Sequence, residues 1–421
     1  MVSDFFEWSR YCGTPEFSGF FFVKETFASG TFVIYGTGRE DTMDRNEACR
    51  KACHETYMKR ALELAQTAMG RTSPNPMVGC VVVKNGSIVA EGCHEKYGAF
   101  HAERNALTTC DGDVGGADLY VTLEPCCHQG KTPPCTDIII EKQIGRVFVG
   151  AMDPNPKVSG NGVRILRAHG IDVVTGVLEQ ECLALNEIFF HYIRSSVPFV
   201  AMKYAMTLDG KIAACTGDSK WVTGEKAREH VQLLRKKYAS IMVGVDTVIA
   251  DDPMLNCRMW EGVDPVRVIC DSHLRIPLES QIVRTAGDIK TIVAYAGGED
   301  RQKVRDLEKQ EQKVRQLEAS GLELLKAGDG SRVSLEELIR QLGRRNIDSV
   351  LVEGGGSIHG SLLETGLVNR VYAYIAPKLI GGKDAKSPVE GNGICEMAAA
   401  KKLSDMTVMQ LGEDLCVTGL L

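Results

Sequence analysis

Residues 101–135 read HAERNALTTC DGDVGGADLY VTLEPCCHQG KTPPC, and within them His101, Glu103, Cys126 and Cys135 form an ordered set. One imidazole and two thiolates make three zinc ligands and leave a fourth tetrahedral position open, the pattern of a catalytic site. Zinc lowers the pKa of a bound water from about 15.7 towards roughly 7. Glu103, two residues after the histidine and near the start of the same predicted helix, is the carboxylate expected to take a proton from that water and return it to a leaving group. His-x-Glu followed by paired cysteines is the signature of hydrolytic zinc deaminases, in which the glutamate is not a ligand. Eight residues separate Cys126 from Cys135, against two in the usual Cys-x-x-Cys, so the intervening loop must fold back to one metal. Pro133 and Pro134 stiffen that return and place Cys135 near a helix start, where amide dipoles favour a thiolate. Cys127 and His128 are rival ligands by residue type, and buried structural cysteines beside a core histidine are the competing reading of the whole set.

Outward from this stretch, elements alternate. Met58, Ala61, Leu62 and Ala65 recur at helical spacing over 57–68, closed by Gly70. Runs at 78–83 and 88–91 flank Lys84-Asn85-Gly86-Ser87, a hairpin signal. Helical patterns at 101–109, 137–142 and 162–169 then alternate with strand patterns at 119–123, 146–150 and 171–175, which indicates a layered α/β domain. A break at Ser195-Ser196-Val197-Pro198 precedes a second α/β series, with β runs at 199–202, 241–245, 266–270, 291–294 and 349–352. The charged stretch 299–318, with sparse apolar positions at Val304, Leu307, Val314 and Leu317, reads as a solvated surface helix. Two domains are expected, 53–197 and 198–421, after an atypical extension over 1–52.

A chain of 421 residues exceeds one hydrophobic core, and 44% hydrophobic with 25% charged residues is an ordinary globular composition. A net charge of -6 argues against a nucleic-acid partner. Fifteen cysteines in a chain this long read as thiols of a cytoplasmic protein, with Cys53, Cys80, Cys93, Cys110, Cys182, Cys215, Cys257 and Cys270 expected in or near the core. The apolar runs are too short for a membrane span. The first forty residues, with Phe20, Phe21 and Phe22 consecutive, lack the basic region of a signal peptide, and Met43 is the expected natural start.

Ser73-Pro74-Asn75-Pro76, His101-Ala102-Glu103, Glu124-Pro125-Cys126, Gly130 to Cys135 and Asp153-Pro154-Asn155-Pro156 together resemble the deaminase half of the bifunctional riboflavin-biosynthesis family RibD. Leu208-Asp209-Gly210-Lys211-Ile212, Gly217 to Trp221, Val243-Gly244-Val245, Val352-Glu353-Gly354-Gly355 and Ala376 to Gly382 resemble its reductase half, in the same order. The resemblance implies a cytidine-deaminase-like three-layer α/β domain followed by a dihydrofolate-reductase-like α/β domain. It implies one Zn2+ per chain, NADPH, a phosphoribosylaminopyrimidine substrate and a homo-oligomer. By the same resemblance Asn75, His94, His128, Lys131, Asp153 and Asn155 surround the pyrimidine. Asn75 and Asn155, each before a proline, are equally explained as turn formers. Cys127 stands where the family often has serine.

In the second half, Gly355, Gly356, Ser357, Ile358, His359, Gly360 and Ser361 follow a β run and open a helix, and the resemblance puts the NADPH diphosphate there. A tight turn is the competing reading of those glycines. Ala205, Trp221, Thr247, Asp251 and Ser272 are the further implied cofactor contacts, and Ser219, Arg235, Leu255, Arg258 and Glu353 the implied substrate contacts. Arg235 and Arg258 suit phosphate by their rigid donor forks, although unplaced arginines are commonly surface charges. Lys203 and Asp251 are candidates for proton handling by titratable chemistry alone. A nucleoside or tRNA-adenosine deaminase fused to an unrelated domain is the alternative. A zinc-stabilised binding protein without catalysis is a further one, weakened by the presence of Glu103.

Overall fold

The computed structural model describes residues 40–156, 158–259, 262–297 and 307–421, with side chains from residue 51 onward except 307–310. The segment 1–39, including the Phe20 to Phe22 run, and Val304 lie outside the described residues. Residues 51–421 form one compact unit.

Its first part comprises α1 (Glu40–Gln66), β1 (Gly79–Lys84), β2 (Ser87–Cys93), α2 (Ala102–Thr109), β3 (Asp118–Leu123), α3 (Cys135–Glu141), β4 (Arg146–Ala151), α4 (Asn161–Ala168), β5 (Asp172–Thr175), α5 (Glu179–Leu185) and α6 (Glu187–Ser195). The strands form one sheet in the order β2-β1-β3-β4-β5, antiparallel on either side of β1 and parallel from β3 to β5. The Asn-Gly hairpin is present, with φ of 53° at Asn85 and 78° at Gly86, the left-handed pair that matches strand twist.

Glycines set the layers. A Cβ at Gly79 would lie 1.9 Å from the Ala61 carbonyl oxygen of α1, and one at Gly92 would lie 2.5 Å from the Ala106 nitrogen of α2. Gly92 is paired with Cys80, the neighbour of Gly79, so the two glycines face opposite sides and the helices sandwich the sheet. The close fit at Gly92 seats α2, and with it His101 and Glu103, directly against β2.

The second part comprises β6 (Phe199–Thr207), α7 (Glu225–Lys237), β7 (Ser240–Gly244), α8 (Val245–Asp251), β8 (Val266–Cys270), α9 (Gln281–Arg284), β9 (Thr291–Tyr295), α10 (Leu307–Ala319), β10 (Glu323–Lys326), α11 (Leu335–Arg344), β11 (Ser349–Gly354), α12 (Gly356–Thr365), β12 (Arg370–Ala376), β13 (Ser404–Leu411) and β14 (Asp414–Leu420). Its sheet runs β10-β9-β8-β7-β11-β6-β12-β14-β13, parallel through β12 and antiparallel over the last two strands. Met242, Val268 and Ile292 pack with α11 and α12 residues Leu338, Leu342 and Leu362, whereas their neighbours Ile241, Ile269 and Val293 pack with Val248, Ile282 and Leu317. Both faces are therefore buried, as a parallel sheet requires. Leu317 of α10 is in that second cluster, so this charged helix keeps one apolar edge against the sheet.

Two readings need correction. Cys53 and Cys215 are exposed rather than core residues, because one lies on a helix and the other in a loop that face solvent there, and Cys93, Cys110 and Cys270 are only half-buried. The strands β10 and β12 to β14 were not expected. β10 has four residues, and most of β13 is exposed on both faces, so neither carries clear alternation.

The two parts meet through a charged cluster. Glu187 of α6 accepts from Lys237 Nζ at 2.7 Å and from Arg370 Nη2 at 2.7 Å and Nε at 3.0 Å. Burial pushes the Glu187 carboxyl up, but the two cations together hold it below the usual carboxylate range. A depressed folded pKa stabilises above the unfolded value of about 4.3, and that contribution is lost as pH falls through the folded value. Glu187→Ala is expected to destabilise the chain by about 3–5 kcal/mol at neutral pH, since it strands two part-buried cations. Denaturant unfolding at pH 7 and pH 3 checks this, and a difference from the unaltered chain that does not shrink at pH 3 would contradict it.

Candidate active sites

His101 caps the start of α2 and Cys135 is the first residue of α3, while Cys126 follows the end of β3. The backbone amides of Cys135 and Thr136 both donate to the Cys126 carbonyl, at 3.0 and 3.2 Å, which folds the long loop back on itself. The result brings a histidine nitrogen and two sulfurs within 4.8 Å of one another. His101 Nδ1 is 3.3 Å from Cys126 Sγ and 3.5 Å from Cys135 Sγ. One nitrogen and two sulfurs at this separation fit the donor preference of zinc. The Cys135 thiol and then His101, with the Cys135 amide, draw the Cys126 thiol well below the usual thiol value against the effect of burial, the direction that suits a metal-ligating sulfur.

Glu103 is buried beside this cluster. Burial, and next the Cys126 sulfur, push its carboxyl up to about 7, against the opposing pull of His101. A carboxyl held near neutrality exchanges a proton with little driving-force penalty in either direction.

Glu103, His101 and Cys126 line a cavity of about 400 Å³, together with all six residues implied for the pyrimidine: Asn75, His94, His128, Lys131, Asp153 and Asn155. His94 Nδ1 lies 3.0 Å from the Phe100 carbonyl and must donate to it, leaving Nε2 to accept from Asn75 Nδ2 at 3.1 Å. His94 therefore orients the Asn75 amide. Burial pushes Asp153 up to about 6. Glu124 accepts from the amides of Gly160 and Val163 at 3.0 and 3.2 Å, tying the end of β3 to α4. The cavity also includes Phe189, Tyr192 and Ile193 of α6 and Asn346 from beyond α11. Sequence reading missed these four, since no motif marks them.

A second cavity of about 290 Å³ opens at the carboxyl ends of the parallel strands, the usual ligand position in such sheets. Lys203, Ala205, Ser219, Trp221, Arg235, Arg258, Glu353, Gly355, Gly356 and His359 line it. Thr247, Asp251, Leu255, Ser272, Ser357, Ile358, Gly360 and Ser361 do not. Leu255 is in the core, and the Ser272 hydroxyl accepts from the Val333 amide at 3.0 Å. Thr247 lies beside the glycine turn, 3.1 Å from where a Cβ on Gly354 would sit. Gly355 has φ of 90°, which only glycine adopts without strain. A Cβ on Gly360 would lie 1.8 Å from the Glu390 carbonyl oxygen, so that glycine serves packing of α12.

Arg235 has its fork on Glu353, with Nε at 2.7 Å and Nη2 at 2.9 Å, and Nη1 on the Asn256 carbonyl. Of the two arginines expected at phosphate, that leaves Arg258 with its fork uncommitted to Glu353. Lys203 Nζ stands 3.7 Å from the same carboxylate. Burial raises Glu353, but Arg235 and Lys203 outweigh it and hold the carboxyl at about 2. Burial lowers Lys203 from the usual lysine value despite Glu353. Arg228, which no motif indicated, lines the cavity with its guanidinium 4.6 Å from the Trp221 ring centre.

Residues 51–151 match the family model for the cytidine and deoxycytidylate deaminase zinc-binding region, and residues 198–417 match that for the RibD C-terminal domain. The riboflavin biosynthesis protein RibD of Actinobacillus pleuropneumoniae is 53% identical over 360 residues, 85% of this chain and 93% of its own length. That of Escherichia coli is 37% identical, covering 86% and 98%. A solved Thermotoga maritima structure, described as a diaminohydroxyphosphoribosylaminopyrimidine deaminase/5-amino-6-(5-phosphoribosylamino)uracil reductase, is 39% identical with a TM-score of 0.75, covering 88% of this chain and 99% of that one.

Proposed function

The chain belongs to the RibD family of riboflavin biosynthesis, a deaminase and a reductase on one polypeptide, and on that premise we propose its substrates, cofactor and residue roles. The first lobe deaminates 2,5-diamino-6-(5-phosphoribosylamino)pyrimidin-4(3H)-one, and the second reduces the ribosyl chain of the product to ribityl with NADPH, giving 5-amino-6-(5-phospho-D-ribitylamino)uracil. The carrying observation is that His101, Cys126, Glu103 and the six pyrimidine residues line one cavity, with Cys135 completing the zinc-competent trio beside it. The alternative of a nucleoside or tRNA-adenosine deaminase with an unrelated second domain is not favoured, because both halves match the same family in order.

His101, Cys126 and Cys135 would hold the metal, which supplies Lewis acidity that makes a nucleophile of water at neutral pH. Glu103 takes the proton released from water and delivers it to the departing amine, so one water is consumed and one ammonia leaves. Asn75, fixed by His94, bonds the ring edge, and Asp153 and Asn155 complete its polar contacts.

The second cavity would hold NADPH, whose chemistry when bound would be hydride donation to the sugar carbon. The Gly355 turn and the start of α12 would hold its diphosphate. Lys203 gives a proton to the oxygen released, Glu353 keeps that ammonium in place, and Arg258 meets the substrate phosphate. The deaminase domain is assigned to 53–197 and the reductase to 198–421, supported by the two sheets sharing no strand among the described residues. A homo-oligomer in the cytoplasm is part of the same reading. No helix among the described residues is long and apolar enough to cross a membrane.

Incubating the purified chain with the diaminopyrimidine phosphate tests this. Ammonia release is expected without NADPH, and NADPH oxidation only after it. Removing zinc with a chelator is expected to stop ammonia release by at least about a hundredfold while leaving reduction of the deaminated compound intact. Absence of ammonia from the metal-loaded chain would overturn the reading.

A further inference from the structure

The first cavity is not walled by the first lobe alone. Asn346, in the turn between α11 and β11 of the second lobe, lines it. Two hydrogen bonds press that turn against the first lobe. The Tyr192 hydroxyl on α6 donates to the Gly343 carbonyl at 2.8 Å, and the Ser73 hydroxyl donates to buried Asp348 at 2.8 Å. Ser73 immediately precedes the cavity residues Pro74 and Asn75, so the same contact steadies both the turn and the loop opposite it.

Asn346 has φ of 59°, and its amide donates to the Gly343 carbonyl at 2.9 Å. Glycine would satisfy that backbone at less cost. The carboxamide makes no hydrogen bond among the described residues and is exposed, which leaves its donors and acceptor for a ligand.

The cavity has a polarity of depth. Glu103 is buried at the inner end, whereas Tyr97, Lys131 and Asn346 are exposed at its mouth, with the Lys131 ammonium 3.9 Å from the Tyr97 ring centre. A ring whose amino-bearing carbon reaches Glu103 must project its substituent towards that mouth. Resting on the deaminase reading above, we propose that Asn346 binds the appended sugar phosphate of the deaminase substrate, so that the second lobe supplies part of the first lobe's specificity.

Asn346→Gly removes the carboxamide while favouring the turn, and Asn346→Asp keeps a left-handed-tolerant residue but adds charge. In the full chain, Asn346→Gly is expected to raise the KM for deamination of the phosphoribosylaminopyrimidine about five- to tenfold, the scale of one hydrogen bond, with kcat nearly unchanged. Asn346→Asp is expected to raise KM further, by an amount that falls with added salt. Zinc content and reduction of the deaminated compound stay as in the unaltered chain. Unchanged KM in both variants, or a fall in kcat with KM preserved, overturns the proposal. A lack of deamination by the unaltered chain would instead overturn the deaminase reading, which keeps the two failures distinct.

Discussion

Glu103→Gln is expected to keep its zinc and lose deamination by at least about a hundredfold, the lower end of what a positioned acid–base group contributes. Glutamine has nearly the same shape, so α2 remains seated on Gly92 and the His101, Cys126 and Cys135 donors keep their separation. What disappears is a proton acceptor in a buried site, where no solvent group can substitute for it. Metal analysis, ammonia release and NADPH oxidation on the deaminated compound, measured on one preparation, separate the possibilities. Undiminished ammonia release would remove Glu103 from the chemistry. Loss of zinc along with activity would make it a support of the metal site instead.

Glu353→Gln is expected to abolish reduction, again by about a hundredfold or more, and to weaken the second lobe by about 3–5 kcal/mol, because Arg235 and Lys203 become buried cations without a counter-charge. Its pH signature follows from the carboxyl held at about 2. The folded value lies below the unfolded one of about 4.3, so the stabilisation is complete above the higher value and disappears as pH falls towards the lower. Thermal unfolding of the unaltered chain should therefore drop steeply between about pH 4 and pH 2, and that of the variant should fall less. Parallel curves would show that the pair contributes nothing net. Deamination is expected to survive, since Glu353 lies in the other cavity.

The metal trio and Glu103 were legible because their chemistry demands particular residue types close together in sequence, and the Asn85-Gly86 hairpin because its backbone demands left-handed residues. Asn346 and Tyr192 were not. They reach the cavity only when residues as distant as Ser73 and Asp348 meet, and no spacing rule encodes a contact across the chain. The role of Arg235 illustrates another limit. Residue type suggested a phosphate fork, but the fold had already given that fork to Glu353, a choice set by the pairing of β11 with β7 and the packing of α7. In the same way β13 escaped notice because an edge strand exposed on both sides has no burial pattern to reveal it.

The Glu187 cluster, with Lys237 and Arg370 gripping one carboxylate across the junction, bears on whether the halves could live as independent polypeptides. A protease nick near Val197 would cut no strand pairing, yet the fragments should remain clasped, and pulling them apart would hydrate three charges at once and leave the upstream pocket open on one flank. Fusion in a single gene then preserves more than equal dosage of two enzymes: each half is part of the other's scaffold.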